Sequence, residues 1–205
     1  MMLIAERFRF VHVPRCGGTW TTAALRQAGM EIEEIDKHLA LRKFPRPDLP
    51  LLAFVREPLG WYKSIWRHYW KHKTHFDTQG NFSLLRDQPD IRGYCNGCFD
   101  DFIVRITNEL PGCYLILLRE MLEFDAPDFA GQIRSFDTLP WGLIAALSAF
   151  GVEVDADAIA TLPPRNVGDR RYPADYTART RELVIKSEID NPAWGGMIRR
   201  VRRRE

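Results

Sequence analysis

The stretch Pro14-Arg15-Cys16-Gly17-Gly18-Thr19-Trp20 carries the residue types of an anion cradle. Gly17 and Gly18 allow a sharp turn and a close approach of backbone to ligand. Thr19 or a neighbour can cap a helix that begins here, and the free N–H groups and dipole of its first turn favour negative charge. Arg15 adds a planar cationic fork. A second cation, Arg56, emerges directly from the apolar run Leu51-Leu-Ala-Phe-Val55. A guanidinium leaving a buried strand needs a partner, and a phosphate or a carboxylate satisfies it bidentately. His38 follows a short apolar-polar stretch; it reads as a surface histidine on a loop or at a helix start, or as a general base, since an imidazole can take either protonation state near neutrality.

The elements that position these groups follow from the hydrophobic pattern. Residues 8–13 read as a buried strand stopped by Pro14, and residues 20–28 as a helix ended by Gly29. Residues 30–37, with apolar positions at 30, 32 and 35, read as a short strand that delivers His38. The unbroken run 51–55 suits a parallel strand buried on both faces. In an open parallel sheet, ligands gather at the carboxyl ends of the strands. A helix over 59–73 places Tyr62, Trp66, Tyr69 and Lys73 on one stripe. Tyr62, Trp66 and Trp70 could suggest nucleic-acid stacking, but helical spacing favours core packing. Ser64 projects from another side. Residues 74–98 read as a long polar loop over the site, 99–110 as a helix, 113–118 as a buried strand, and 141–150 and 180–187 as helices.

Two further patterns stay open. His68 and His72 have i,i+4 metal-ligand spacing, but no third ligand stands out and no metal is assigned. Cys95 and Cys98 have redox or zinc spacing; two ordinary thiols are favoured over a local disulfide or half of a metal site shared with nearby histidines. The motif is not a Walker A loop, for no lysine follows the glycines, nor a dinucleotide fingerprint.

The loop at 14–20 resembles the phosphosulfate loop of the sulfotransferases, usually Pro-Lys-x-Gly, two Thr or Ser, then Trp or Ser. Arg15 replaces the usual lysine, and Gly18 a usual hydroxyl residue. Phe54-Val-Arg56-Glu-Pro58, with Ser64 eight residues after Arg56, resembles the family's second signature. The resemblance is closest to the carbohydrate sulfotransferases and covers most of residues 8–125. It implies an α/β fold of three layers, α/β/α, with a central parallel sheet of the P-loop-like sulfotransferase type. It implies the cofactor 3′-phosphoadenosine 5′-phosphosulfate (PAPS), bound by Arg15, Cys16, Gly17, Gly18, Thr19 and Trp20. Arg56 and Ser64 then take the 3′-phosphate, and the late basic loop with Arg170 and Arg171 closes on it. Catalysis falls to Arg15 and to His38 as base. The region from Arg119 resembles the family's Arg-x-Glu-x-Leu segment, which is mainly architectural.

Length and composition frame this reading. A chain of 205 residues with 45% hydrophobic residues is expected to fold as one domain, residues 1–205. A net charge of +2 does not mark a nucleic-acid binder, although the basic tail 199–204 could touch one. No apolar run is long enough to span a membrane. The residues before the first strand are too few for a signal peptide, and four cysteines form no disulfide scaffold, which points to the cytoplasm. The expected partner is a small-molecule or carbohydrate acceptor; the oligomeric state is not readable. Other classes remain: a non-catalytic nucleotide- or partner-binding member of the fold, a P-loop-like nucleotide kinase, or a basic nucleic-acid-binding module.

Overall fold

The computed structural model describes residues 2–35, 46–71, 91–125, 129–165 and 172–202. His38, His72, Arg170 and Arg171 lie outside the described residues, as does most of the expected loop at 74–98. In chain order the elements are β1 (Met2–Ile4), β2 (Arg9–Val11), α1 (Gly18–Gln27), β3 (Glu33–Glu34), β4 (Leu51–Val55), α2 (Pro58–Lys71), α3 (Phe99–Glu109), α4 (Cys113–Leu122), β5 (Gly131–Ser135), α5 (Trp141–Ala149), α6 (Ala156–Ala160), α7 (Ala178–Val184) and α8 (Pro192–Arg202). Short 3-10 turns stand at Ile91–Tyr94 and Phe136–Thr138, and a π-helical turn at Ile185–Ile189. The chain divides into two compact units. One comprises Met1–Arg56, Arg119–Val167 and Met197–Glu205; the other comprises Glu57–Leu118 and Gly168–Gly196.

The first unit is mixed α/β. Among the described residues, five strands form one sheet in the order β3-β1-β2-β4-β5. β2, β4 and β5 are parallel, with Arg9 opposite Leu51 and Leu51 opposite Gly131. β1 turns back on β2 through Ala5 N–H to Phe8 O, 3.0 Å, and pairs with it antiparallel, as β3 does with β1. The sheet is therefore mixed, with its parallel part confined to three strands. All five residues of β4 are buried, as its unbroken apolar run predicts. On one face, Phe8, Phe10, Leu52 and Phe54 pack against Trp20, Ala24 and Leu25 of α1 and Leu143, Ala146 and Leu147 of α5. Arg9, buried at the start of β2, donates Nε to Leu49 O at 2.8 Å and so ties β2 to the segment entering β4. Because the three strands are parallel, the loop after Val13, Arg56 after Val55 and Phe136 after Ser135 leave one edge together.

Two expected strands differ. Of the described residues 30–35, Glu33–Glu34 pair as a strand, while Met30 and Ile32 pack on the core from the segment ahead of it. Residues 113–118 are the start of helix α4, not a strand. The run Cys113-Tyr-Leu-Ile-Leu-Leu118 is apolar throughout, so periodicity cannot tell a buried helix from a buried strand. The cause of the helix lies far along the chain. The carboxylate of Glu188 accepts the N–H of Tyr114 and of Leu115, each at 3.0 Å, and Ser187 Oγ accepts that of Gly112 at 2.8 Å. The third parallel strand is instead β5, whose Gln132 and Arg134 hid it. Both are buried because Arg134 donates to Gln132 Oε1 through Nη2 at 2.7 Å and Nε at 3.1 Å.

The second unit is helical and built on aromatic packing. Trp61 stacks on Tyr114 with ring centroids 4.4 Å apart, and the Tyr62, Trp66 and Tyr69 stripe is buried as expected. Cys98 caps α3, its Sγ accepting Asp101 N–H, and all four cysteines are free thiols. Glu188 is fully buried in the π-helical turn, and its carboxylate also accepts the Tyr62 hydroxyl at 2.5 Å. Burial pushes its pKa above the usual carboxyl range, and the three hydrogen bonds oppose that shift only in part. The folded chain therefore holds this proton more tightly than the unfolded chain does. The contribution of Glu188 favours the fold below the ordinary carboxyl range and is lost as pH rises through the raised value. Two outcomes follow for urea unfolding across pH. Glu188→Ala, which orphans three buried donors, should cost about 3 kcal/mol. The stability of the wild type relative to Glu188→Gln should fall as pH rises; parallel curves would contradict this account.

Candidate functional site

The loop from β2 into α1 is wound tightly by its own backbone. Cys16 N–H bonds to Val13 O at 3.2 Å, and Thr21 N–H to Gly17 O at 2.9 Å, which starts the helix. Arg15 has φ 64° and Gly17 φ 83°, with Cys16 at negative φ between them. Such alternation turns successive N–H groups toward one concavity. A left-handed arginine costs about 1–2 kcal/mol, so the loop holds Arg15 there against its preference. Gly17 is the N-cap of α1 and offers no side-chain cap, and no acidic residue stands in the first turn. A helix start of this kind has its positive end at the loop, and no first-turn carboxylate neutralises it. Cys16 is buried, Arg15 is half-buried and Thr19 is exposed. Trp20 is 9% exposed and packs in the core, so it brings its main-chain N–H to the loop rather than its ring.

Each glycine has a specific neighbour. A Cβ on Gly17 would stand 2.9 Å from Leu139 Cδ1 and 3.0 Å from the Phe136 ring. The other partner of Phe136 is Arg56, whose guanidinium carbon lies 3.8 Å from the ring centroid. One aromatic ring thus joins the loop to the cation that ends β4, a contact worth about 0.5–2 kcal/mol. A Cβ on Gly18 would overlap the imidazole of His12. The His12 ring, stacked with Phe10 at 6.5 Å, takes the space that a hydroxyl residue would need at position 18. Sequence reasoning passed over His12, Phe136 and Leu139. The only signal for His12 was its i,i+2 spacing from Phe10 on the α1 side of β2, with the bare Gly18 to receive it.

The structure therefore brings together Arg15, Cys16, Gly17, Gly18, Thr19, the Trp20 backbone and Arg56. Ser64 belongs to the second unit, half-buried on α2. His38, Arg170 and Arg171 lie outside the described residues. A cavity of about 750 Å³ lies at the opposite, amino edge of the parallel strands, against Glu6, Arg7, Met30, Glu33 and Val152. Its mixed charges do not form an anion site. Among the described residues no cluster of side chains suits a metal, and no helix is long and apolar enough to cross a membrane. In comparisons with known proteins, no family model, no curated protein and no solved structure matches the chain.

The contact between His12 and Gly18 gives a direct test of this geometry. Gly18→Ala should drive the imidazole out and lower the unfolding free energy by about 1–3 kcal/mol. Adding His12→Gly should recover part of that loss, with a coupling of about 0.5–3 kcal/mol in a double-mutant cycle read by urea unfolding. Strict additivity of the two substitutions would show that the ring does not fill this space.

Proposed function

We propose that the chain is a sulfotransferase of the P-loop-like fold, moving a sulfuryl group from PAPS to the hydroxyl or amine of a small molecule or carbohydrate. The observation that carries this reading is the meeting of the Gly17-Gly18 loop and Arg56 at one carboxyl edge of parallel strands, joined by Phe136. Residues 14–20 and 54–56, the parts of the two signatures that lie in the first unit, stand at the ends of strands that reach that edge. The donor set fits the cofactor: amides of an uncapped helix start, two guanidinium groups and no first-turn carboxylate. The free thiols agree with a cytoplasmic setting.

The chemistry that PAPS supplies is a sulfuryl group on a phosphate able to leave as a stable anion. The first-turn amides of α1 and Arg15 hold negative charge where it develops as the bond from sulfur to the phosphate oxygen breaks. Arg56 takes the 3′-phosphate through its fork, and by resemblance Ser64 adds a hydroxyl. His38 accepts the proton of the attacking hydroxyl as the new sulfur–oxygen bond forms. Arginine at position 15 keeps the charge of the usual lysine but cannot donate a proton, and a leaving phosphate scarcely needs one.

Transfer of labelled sulfate from PAPS to a panel of acceptors tests the reading. Arg15→Ala should slow the chemical step by roughly 10²–10³, the scale of losing one oxyanion donor, while Arg15→Lys keeps substantial activity. His38→Ala should cut single-turnover transfer with cofactor binding nearly unchanged. Transfer indifferent to Arg15→Ala would defeat its role. Tight cofactor binding without transfer to any acceptor would favour the non-catalytic, nucleotide-binding reading.

A further inference from the structure

His12 follows β2 and is half-buried, with its ring stacked on Phe10. A Cβ at Gly18 would overlap Cγ, Cδ2 and Nε2 of that ring, so this edge of the imidazole lies on the first residue of α1. A Cβ is two bonds from its own backbone nitrogen, which puts Nε2 within about 5 Å of the Gly18 nitrogen. The first-turn amides are the groups proposed to hold the anion. An anion oxygen bonded to Gly18 N–H at about 2.9 Å is then within about 8 Å of the ring nitrogen. That is no more than one Debye length in physiological salt, about 8 Å, so a charge on the ring is felt by the anion without touching it.

An imidazole takes either protonation state near neutrality, and its surroundings decide which. The first turn of α1 carries no acidic residue. Ala53 of β4 pairs with Val11, so Phe54 is level with His12 and Arg56 stands two residues further on. The loop adds Arg15 and the buried thiol of Cys16. Asp137 after β5 and Glu57 after Arg56 are both exposed, where water screens them. Before an anion arrives, a proton on His12 adds positive charge beside Arg15, Arg56 and the helix dipole; once the anion is bound, the same proton faces negative charge. Proton and anion therefore favour each other's binding, and the coupling is reciprocal. Resting on the function proposed above, we infer that His12 is the proton-linked group of the loop, taking up a proton from water as the phosphosulfate end of the nucleotide binds. The two histidines then act in opposite senses. Protonation of His12 tightens binding, whereas the base, His38, works only when it is unprotonated.

Two measurements on the full chain test this with adenosine 3′,5′-bisphosphate as the probe. The first needs only the wild type. The chain has five histidines, and NMR with through-bond assignment follows the His12 ring across pH with and without the nucleotide. Its titration midpoint should rise on binding by about half a unit or more, a factor of about three in coupling. The second compares the wild type with His12→Gln, whose side chain does not titrate. By calorimetry the affinity of the wild type relative to His12→Gln should improve by about three-fold or more from pH 8 to pH 5.5, and the wild type should take up more protons on binding. Titration of the nucleotide's own phosphates is common to both chains and cancels in the ratio. A ring that merely fills the space at Gly18 would move none of these readouts. A His12 midpoint unmoved by bound nucleotide, or affinities of the two chains that run parallel across pH, would overturn the inference alone. If the wild type does not bind the nucleotide at any pH, the sulfotransferase reading fails and takes the inference with it.

Discussion

Residues 17 and 18 carry no side chain, and the candidate site is built in the space this leaves. At Gly17 the backbone turns left-handed against Leu139 and the ring of Phe136, which brings the 3-10 turn after β5 onto the loop. At Gly18 the His12 imidazole lies on the first turn of α1. Any larger residue at either position must move a neighbour, and at Gly17 it must also accept a strained backbone. The close packing of Leu139, Phe136 and His12 on the loop depends on these two absences.

The rest of the first unit holds that arrangement in register. Parallel pairing of β2, β4 and β5 delivers three chain ends to one edge, and Arg9 fixes the entry to β4 from the opposite edge. Gly131 belongs to the same constraint, for a Cβ there would stand 2.6 Å from that of Leu51. The second unit solves a separate problem. It buries a carboxylate, Glu188, at the cost of desolvating it, and uses it to receive the first amides of α4. Both units close a helix start, one around a buried carboxylate and the other with no side-chain cap.

How much of this was legible in the sequence depends on where the deciding contact lies. The loop at 14–20, the run 51–55 and the amphipathic stripes of α2 and α3 follow from local spacing and could be read directly. The same edge for the loop and Arg56 followed from two buried runs that both end in residues of a type suited to anions. Residues 113–118 could not be read, because Glu188, which decides for a helix, lies far along the chain and reaches it only in the folded state. β5 was hidden because Gln132 and Arg134 look like surface residues until each is seen to satisfy the other. His12 was hidden because a histidine in a strand has no meaning until the glycine that receives it is placed against it.

The central claim is that the loop and Arg56 together recognise a nucleotide through two separate phosphates. The affinities of the unmodified chain for adenosine 3′,5′-bisphosphate and adenosine 5′-monophosphate, measured side by side by calorimetry, test it most directly. The account predicts that the bisphosphate binds tighter by roughly ten-fold or more, the worth of a charge-assisted bidentate contact. Equal affinities for the two nucleotides would contradict it.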